Sequence, residues 1–205
     1  MAPRIFSVTA EILDAATIQQ AAHILRSGGL VVFPTETVYG LGADATNPQA
    51  IERLNRVKGR PADKPYSWHL ACAEKVRSFL PDISPLAKRL MDRFWPGPLT
   101  IVLSIGEGRT IGFRVPDHPV AQAFLKACDV PVAAPSANRS GNPPPTNVDQ
   151  VLANLNGSVD GIVDSGPTAV GRESTVVRVV EEDVEILRQG AIDSQTIRSL
   201  MFLQD

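Results

Sequence analysis

The chain has 205 residues, 43% of them hydrophobic, and a formal net charge of −2, which suits one globular domain over residues 1–205 and excludes a disordered chain. Two very small domains are the alternative. No block of lysines or arginines indicates sequence-blind binding to nucleic acid, and no apolar run approaches the ~18 residues of a membrane span. We therefore expect a cytoplasmic protein without membrane association. Cys72 and Cys128 form no CxxC pair, which argues against a disulfide scaffold, a zinc site or a redox centre, so both are expected to be small buried side chains.

The first half of the chain predicts three helices and one strand. Apolar residues recur at helical spacing over residues 15–26, and a Gly-Gly pair ends this helix. The continuous apolar run at residues 30–33 is typical of a short buried strand. Proline in the first turn marks a helix over residues 48–57 and another from Ser84 to about Phe94.

The second half alternates strands and helices. Residues 99–104 and 110–115 predict neighbouring strands joined by a glycine-rich turn, followed by a helix over residues 118–127 and a strand over residues 130–133. The remaining elements are a helix capped by Thr146 that runs to Leu155, strands at residues 162–163, 175–180 and 184–187, the last two forming a hairpin, and a short helix capped by Asp193. This order predicts a mixed α/β sheet, in which ligands bind in the crevice beyond the strand ends.

Residues 34–42, a predicted loop after the first strand, contain hydroxyls, a carboxylate and two glycines that would let a ligand approach the backbone. Gly40, Gly42 and Ala45 fit the spacing of a dinucleotide-binding fingerprint, but residues 34–39 separate the glycines from the preceding strand. This context argues against a Rossmann site, and no P-loop motif occurs. A ligand-binding loop and an ordinary structural turn remain as the two interpretations.

Two further loops contain groups that suit phosphate or ribose. Lys58, Arg60 and Lys64 place three cations within residues 58–64, and both cation types bind phosphate oxygens. Residues 134–146 combine Ser136 and Asn138 with prolines that restrict the conformations of the loop. A solvated basic loop and a rigid structural loop are the respective alternatives.

Arg114 is a cation in an otherwise apolar strand, and such an arginine usually has an anionic partner, either protein or ligand. Residues 171–175 and 186–190 form a fourth polar segment at strand ends. The chain has no Ser-His-Asp order and no HExxH motif, and His23 and His118 are expected to be structural or exposed. This shortage of nucleophiles favours catalysis by positioning and charge neutralisation, as in phosphoryl or nucleotidyl transfer. From the residues alone, we predict an anion-binding α/β protein.

The order of these loops resembles the YrdC-like family, the threonylcarbamoyl-AMP synthases. The matching stretches are FPTETVYGLGADA (33–45), KGRPADKP (58–65), WPGPLTIVL (95–103), FRVPDHP (113–119), APSANRSGNPPPT (134–146), GRESTVV (171–177) and ILRQGAI (186–192). They span nearly the whole chain in family order and at family-like spacing. The chain is most similar to the short, single-domain members, without the linker and second domain of longer ones.

The resemblance implies a twisted open mixed sheet with flanking helices and a concave cleft. It also implies a nucleotidyltransferase that converts L-threonine, bicarbonate and ATP into threonylcarbamoyl-AMP and pyrophosphate. A separate threonylcarbamoyl transferase complex then modifies an adenosine of tRNA, and weak tRNA binding by this chain is compatible with that role. Mg²⁺ would arrive with ATP, and neither a protein-held metal nor a tightly bound organic cofactor is expected.

The resemblance also implies roles for individual residues of these motifs. By resemblance, Lys58 and Arg60 are the catalytic pair. The expected ATP-binding residues are Lys58, Arg60, Thr110, Ser136, Asn138 and Arg188. The expected threonine-binding residues are Thr35, His69, Arg114 and Ser174, with Arg114 as the fork for the carboxylate.

Residues 66–68 depart from the family pattern, because Tyr66, Ser67 and Trp68 stand where an aliphatic strand is usual. Two other functions remain open at this stage. One is a related enzyme that acts on a different carbamoyl or carboxylated substrate. The other is a non-enzymatic RNA-binding module, which the net charge of −2 disfavours.

Overall fold

A computed structural model of the chain describes residues 2–60 and 65–200. The helices are α1 (Ala15–Arg26), α2 (Pro48–Lys58), α3 (Pro85–Phe94), α4 (Pro119–Cys128), α5 (Val148–Leu155) and α6 (Ser194–Ser199), with a 3₁₀ turn at Ala73–Ser78. The strands are β1 (Arg4–Ser7), β2 (Val31–Phe33), β3 (Gly40–Asp44), β4 (Trp68–His69), β5 (Leu99–Ser104), β6 (Thr110–Arg114), β7 (Val132–Ala133), β8 (Gly161–Asp164), β9 (Thr175–Val180) and β10 (Asp183–Arg188).

The strands within the described residues form one mixed sheet in the order β1-β8-β2-β3-β7-β4-β6-β5-β9-β10. Most neighbouring strands run antiparallel. The parallel pairs are β1 with β8, β8 with β2, β4 with β6, and β5 with β9. Because strands distant in sequence lie side by side, loops from across the chain reach one region of the sheet.

Helices cover both faces of the sheet around β2. Val31 and Phe33 pack with α1 and α4 in one apolar cluster, whereas Val32 packs with α2 and α5 in another. Successive side chains of a strand point to opposite faces, so burial on both faces explains the uninterrupted apolar run of β2.

Around β5 the helices cover only one face. Leu99, Ile101 and Leu103 pack into a third apolar cluster with α3 and α6. The alternate residues Thr100 and Val102 point to the opposite face, where they line an open cavity. The fold therefore leaves a concave surface on one side of the β6-β5-β9-β10 half of the sheet.

Most of the predicted elements are confirmed, with small differences at their ends. The first helix has the predicted bounds, Ala15–Arg26, and Gly28 after it has the left-handed φ of 85°. Asp193 caps the last helix through a hydrogen bond from Thr196, as predicted. The hairpin of β9 and β10 is also confirmed.

Two predictions about local structure are wrong. Thr146 does not cap α5, because Asn147 has the extended backbone of a cap and its side chain accepts a hydrogen bond from the amide of Gln150 at 3.0 Å. The segment 34–42 is not a loop throughout, since its last residues belong to β3. Strand β3 is glycine-rich because a Cβ on Gly42 would lie only 3.0 Å from Val132 Cγ1 and from the Val31 carbonyl oxygen.

The burial of both cysteines, and the surroundings of His23 and His118, can also be compared with the predictions. Both cysteines are free, and Cys128 is buried as predicted, whereas Cys72 is only half-buried. His23 is exposed, and His118 is the N-cap of α4, where its Nδ1 accepts a hydrogen bond from Ala121 at 3.4 Å. Among the described helices, none is both long and apolar enough to cross a membrane.

Candidate active site

The open cavity on the uncovered face has a volume of about 630 Å³. It gathers every residue predicted for the site from the motifs, which are Thr35, Lys58, Arg60, His69, Thr110, Arg114, Ser136, Asn138, Ser174 and Arg188. These residues come from strands, helix ends and loops between positions 35 and 188, so tertiary structure brings them together.

Arg114 is the buried cation of the cavity, with 4% of its surface exposed. Its Nη2 lies 2.9 Å from Glu36 Oε1 and donates to Thr37 Oγ1 at 2.9 Å, while Nε donates to the Gly97 carbonyl at 3.3 Å. Nη1 makes no hydrogen bond to any described residue. Burial lowers the pKa of Arg114, and the Glu36 carboxylate opposes that shift. Arg114 therefore has the predicted anionic partner within the protein, and this partner is Glu36.

His69 lies beside Arg114 in the sheet, since β4 and β6 pair His69 with Arg114. The ring is 4% exposed, contacts Phe33 edge to face at 6.0 Å, and has no hydrogen-bond partner for Nδ1 among the described residues. Burial, followed by the charge of Arg114, lowers the pKa of His69 well below its usual range. This shift of the pKa favours the neutral imidazole, and Nδ1 is a buried polar atom without a partner among the described residues.

Hydroxyl groups complete the buried part of the cavity. Ser174 Oγ and Thr100 Oγ1 lie 2.9 Å apart, and both residues are buried. Thr35 Oγ1 accepts hydrogen bonds from the amides of Thr37 and Val38 and donates to the Val38 carbonyl at 2.7 Å. Thr35 therefore stabilises the turn after β2, in agreement with the interpretation of this segment as a structural turn. Thr35 also lines the cavity.

Lys58 ends α2 with a buried side chain, of which 4% is exposed. Its ammonium donates to the carbonyls of Ser136 and Asn138 at 2.7 and 2.5 Å. Lys58 thereby ties α2 to the loop at residues 134–146. Burial, followed by the charge of Arg60, lowers the pKa of Lys58 to about 8.

Arg60 follows the left-handed cap residue Gly59 and lies over the ring of Tyr66, 4.9 Å from its centroid. Nη2 donates to the Pro65 carbonyl at 3.2 Å. These contacts hold the guanidinium at the cavity wall. Lys64, the third predicted cation of this loop, lies outside the described residues, as does the rest of 61–64.

Asn138 uses its own side chain to shape the loop that it belongs to. Its Nδ2 donates to the carbonyls of Arg139 and Asn142 at 3.0 and 2.6 Å. Ser136 forms an isolated bridge with Gly40, the first residue of β3. The rigid-loop interpretation of residues 134–146 is consistent with these bonds, and Ser136 and Asn138 still line the cavity.

Arg188 and Thr110 lie toward the exposed part of the cavity. Arg188 Nη1 donates to Glu173 at 2.8 Å, and Nε and Nη2 donate to the Ser174 carbonyl at 3.2 and 3.0 Å. Arg188 therefore braces the segment that carries Ser174. Thr110 begins β6 and is exposed.

Comparison with known proteins identifies the family. A model of the Sua5, YciO and YrdC proteins, described as telomere recombination, matches residues 23–190. The chain belongs to the Sua5/YciO/YrdC family.

Two relatives and a solved structure illustrate this membership. The threonylcarbamoyl-AMP synthase of Bacillus subtilis is 42% identical over 90% of this chain and 56% of the relative. The threonylcarbamoyl-AMP synthase of Photobacterium profundum is 33% identical over 84% of this chain and 98% of the relative. A crystal structure of Pyrococcus abyssi Sua5 complexed with L-threonine has a TM-score of 0.91 at 40% identity, covering 97% of this chain and 61% of that one. The chain thus spans less than two thirds of the length of its longer relatives.

This Sua5/YciO/YrdC cavity is strongly cationic although the chain as a whole has a net charge of −2. Five cations line it within the described residues, against the single carboxylate of Glu173, and the five are Lys58, Arg60, Arg114, Arg178 and Arg188. Such a concentration of positive charge between low-dielectric walls attracts polyanions.

Sequence reasoning missed several lining residues of this family member, including Thr100, Arg178 and Glu173. A signal for two of them exists in the strands, because Leu99, Ile101 and Val177 alternate as buried residues and leave Thr100 and Arg178 on the opposite face. The pattern shows which residues share a face, but it does not show that this face remains uncovered.

No group of three or more His, Cys, Asp or Glu side chains within residues 2–60 and 65–200 could hold a metal ion. A protein-held Mg²⁺ needs several oxygen donors, and Glu173 supplies the only carboxylate of the described lining. The described residues therefore do not fit a protein-held Mg²⁺ site.

Proposed function

We propose that this chain is an L-threonylcarbamoyladenylate synthase, which forms threonylcarbamoyl-AMP and pyrophosphate from L-threonine, bicarbonate and ATP. The observation that carries the proposal is the single cavity in which buried Arg114 adjoins a set of more exposed cations. A small carboxylate and a triphosphate can both be held there. The relatives that are threonylcarbamoyl-AMP synthases and the threonine complex of P. abyssi Sua5 support the choice of substrates.

In the proposed complex, Arg114 binds the carboxylate of threonine through Nη1, the guanidinium nitrogen without a described protein partner. Neutral His69 accepts a hydrogen bond from the amino group, since its Nδ1 lacks a described partner. Ser174 and Thr35 surround the rest of the amino acid. The amino nitrogen attacks the carbon of bicarbonate, and loss of water leaves a carbamate.

ATP lies against the other residues of the cavity, with Arg60, Thr110, Ser136, Asn138 and Arg188 around the nucleotide. A carbamate oxygen attacks the α-phosphorus, and the bond to the bridging oxygen breaks so that its electron pair leaves with pyrophosphate. Lys58 and Arg60 neutralise the developing charge, and a Mg²⁺ ion bound to the ATP substrate would add to this neutralisation. Lys58 acts mainly through its charge and by fixing the loop, because its ammonium already donates to two carbonyls.

The product is a mixed anhydride of a carbamic and a phosphoric acid, so it must be consumed by a group-transfer reaction. A separate threonylcarbamoyl transferase complex that modifies tRNA is the proposed consumer, and weak tRNA binding would serve the hand-off. The reaction requires no tightly bound organic cofactor. The proposed location of this reaction is the cytoplasm.

The test is pyrophosphate release by the purified chain from ATP and Mg²⁺, with and without bicarbonate, and with L-threonine, L-serine, other amino acids or none. We expect release only when bicarbonate and L-threonine are both present. Mass spectrometry of the product would check the threonylcarbamoyl group. Release with a different acceptor would favour the related enzyme with an altered substrate, and release without any acceptor would contradict the proposal.

A further inference from the structure

Glu36 is a buried carboxylate that the proposed chemistry does not use. It is 7% exposed, and both carboxylate oxygens are sealed from solvent without a hydrogen-bond donor among the described residues. Its one ion-pair contact among the described residues is Arg114, whose Nη2 lies 2.9 Å from Oε1. Glu36 does not line the cavity, so it acts on a ligand through its charge beside Arg114 and not by direct contact.

The contact between Arg114 and Glu36 is a buried ion pair, in which the two side chains are 5% and 9% exposed. Thr37 and the Gly97 carbonyl already orient the Arg114 guanidinium by hydrogen bonds. The remaining contribution of Glu36 is its charge. In a buried position that charge is poorly screened and strongly reduces the positive potential at Nη1.

The other arginines of the cavity differ in this respect. Arg188 pairs with Glu173 and Arg178 with Glu185, but the side chains of those carboxylates are 34% and 55% exposed, so water screens both pairs. Neighbouring His69 is held neutral and adds no positive charge beside Arg114. The surroundings of Arg114 are therefore close to neutral, whereas Lys58 and Arg60 in the same cavity contact carbonyl groups and no described carboxylate.

We propose that Glu36 determines which anion Arg114 accepts, by admitting a singly charged carboxylate and rejecting phosphate. A carboxylate at Nη1 leaves one uncompensated negative charge there, whereas a doubly charged phosphate leaves two. The repulsion from buried Glu36 grows in proportion to the charge of the ligand. Glu36 thus keeps the triphosphate away from the amino-acid end of a cavity that both substrates share. The identity of the carboxylate as threonine rests on the proposed function, but the selection between anions does not.

The experiment measures thermal unfolding of the wild type and of Glu36→Gln as inorganic phosphate or acetate is titrated, at a pH where phosphate is a dianion. Glutamine has the shape of glutamate without its charge. We expect Glu36→Gln to bind phosphate at least about tenfold more tightly than the wild type, with a smaller gain for acetate. In pyrophosphate-release assays, phosphate should become a competitive inhibitor against L-threonine.

Two further variants test whether the gain in phosphate affinity depends on Arg114. Glu36→Gln combined with Arg114→Met should lose the gained phosphate affinity, whereas Asp160→Asn, which breaks a different ion pair outside the cavity, should show the wild-type response. If Glu36→Gln does not fold, Glu36→Asp moves the charge away from Arg114 and should gain about threefold in phosphate affinity. An unchanged phosphate response, or a gain that persists without Arg114, would overturn the inference. Phosphate binding needs no turnover, so an inactive wild type would count against the proposed function alone.

Discussion

Arg114 and Lys58 are both buried cations, but the surrounding residues give them different chemistry. Arg114 keeps its charge and is accompanied by the buried carboxylate of Glu36. Lys58 has carbonyl partners and no carboxylate contact among the described residues, and its pKa falls to about 8. The first residue is suited to bind an anion at any physiological pH, whereas the second carries a charge that depends on pH.

Arg114→Ala should raise the KM for L-threonine by at least about tenfold, because a charge-assisted hydrogen bond to the carboxylate is lost. The KM for ATP should change far less. The measurement is steady-state pyrophosphate release at varied threonine and ATP. Arg53→Ala is the matched control, since it removes an arginine from an ion pair outside the cavity. Equal changes in both KM values would contradict the assigned position of Arg114.

The activity should depend on pH through Lys58. Below about 8 its side chain is an ammonium, and above that value it becomes neutral. The kcat/KM for ATP, which reports the free enzyme, should therefore fall as the pH rises through about 8. In Lys58→Arg this falling limb should disappear, since arginine stays charged. A pH profile identical in both proteins would show that another group titrates.

The same pKa shift has a consequence for stability, with a defined sign. The folded-state pKa of about 8 is below the usual value of 10.5, so between these values the unfolded chain binds more protons at Lys58 than the folded one. The contribution of Lys58 to the free energy of unfolding should increase with pH across this window. Urea unfolding of the wild type and Lys58→Met at several pH values measures the difference, and a difference that is independent of pH would contradict it.

At the scale of elements, the turn after β10 decides where Ser174 lies. The amide of Ala191 donates to the Glu173 carbonyl at 2.9 Å, and the amide of Gly190 donates to Thr175 Oγ1 at 3.0 Å. A Cβ on Gly190 would overlap the backbone of Glu173 and Ser174. Glycine is required here because two backbones approach each other closely.

Gly190→Ala should therefore displace the segment of Ser174, lower the free energy of unfolding by about 3 kcal/mol and weaken threonine use. Gly161→Ala is the matched control in β8, since its Cβ would first meet the end of the Phe6 side chain at 3.3 Å. That control should cost about 1 kcal/mol and leave the KM for threonine unchanged. Denaturant unfolding measures the loss of stability of each variant, and steady-state kinetics measure the KM for threonine. Equal losses of stability and equal KM values in the two variants would contradict this prediction.

At the scale of the whole molecule, positive charge is concentrated in one cavity of a chain with net charge −2. The KM for ATP should rise about three- to tenfold between low and moderate salt, because exposed charges are screened over about 10 Å at 0.1 M. The KM for zwitterionic threonine should change less. Arg178→Gln should reduce the salt dependence for ATP, and a KM for ATP that is insensitive to salt would exclude attraction by the cavity as a whole.

Local patterns in the sequence were sufficient to predict most helices and strands and the segments that line the cavity. Helix periodicity and caps depend on residues a few positions apart, which explains the agreement for α1 and α6. The cap of α5 was predicted one residue too early, at Thr146 instead of Asn147, because both residue types are favoured as caps. The motifs also named ten residues that prove to share one cavity, although their individual roles stay predictions.

Tertiary structure was needed to establish the order of the strands, the uncovered face beside β5 and the pairing of Glu36 with Arg114. Strand order depends on hydrogen bonds between segments distant in sequence, and periodicity carries no information about them. The partner of a buried charge is likewise chosen by the fold, since Glu36 and Arg114 meet only after β2 and β6 are both in place. The interior has a low dielectric, so a buried charge without a counter-charge beside it is strongly destabilising. The fold therefore pairs Glu36 with Arg114, and this pairing makes the surroundings of Arg114 nearly neutral.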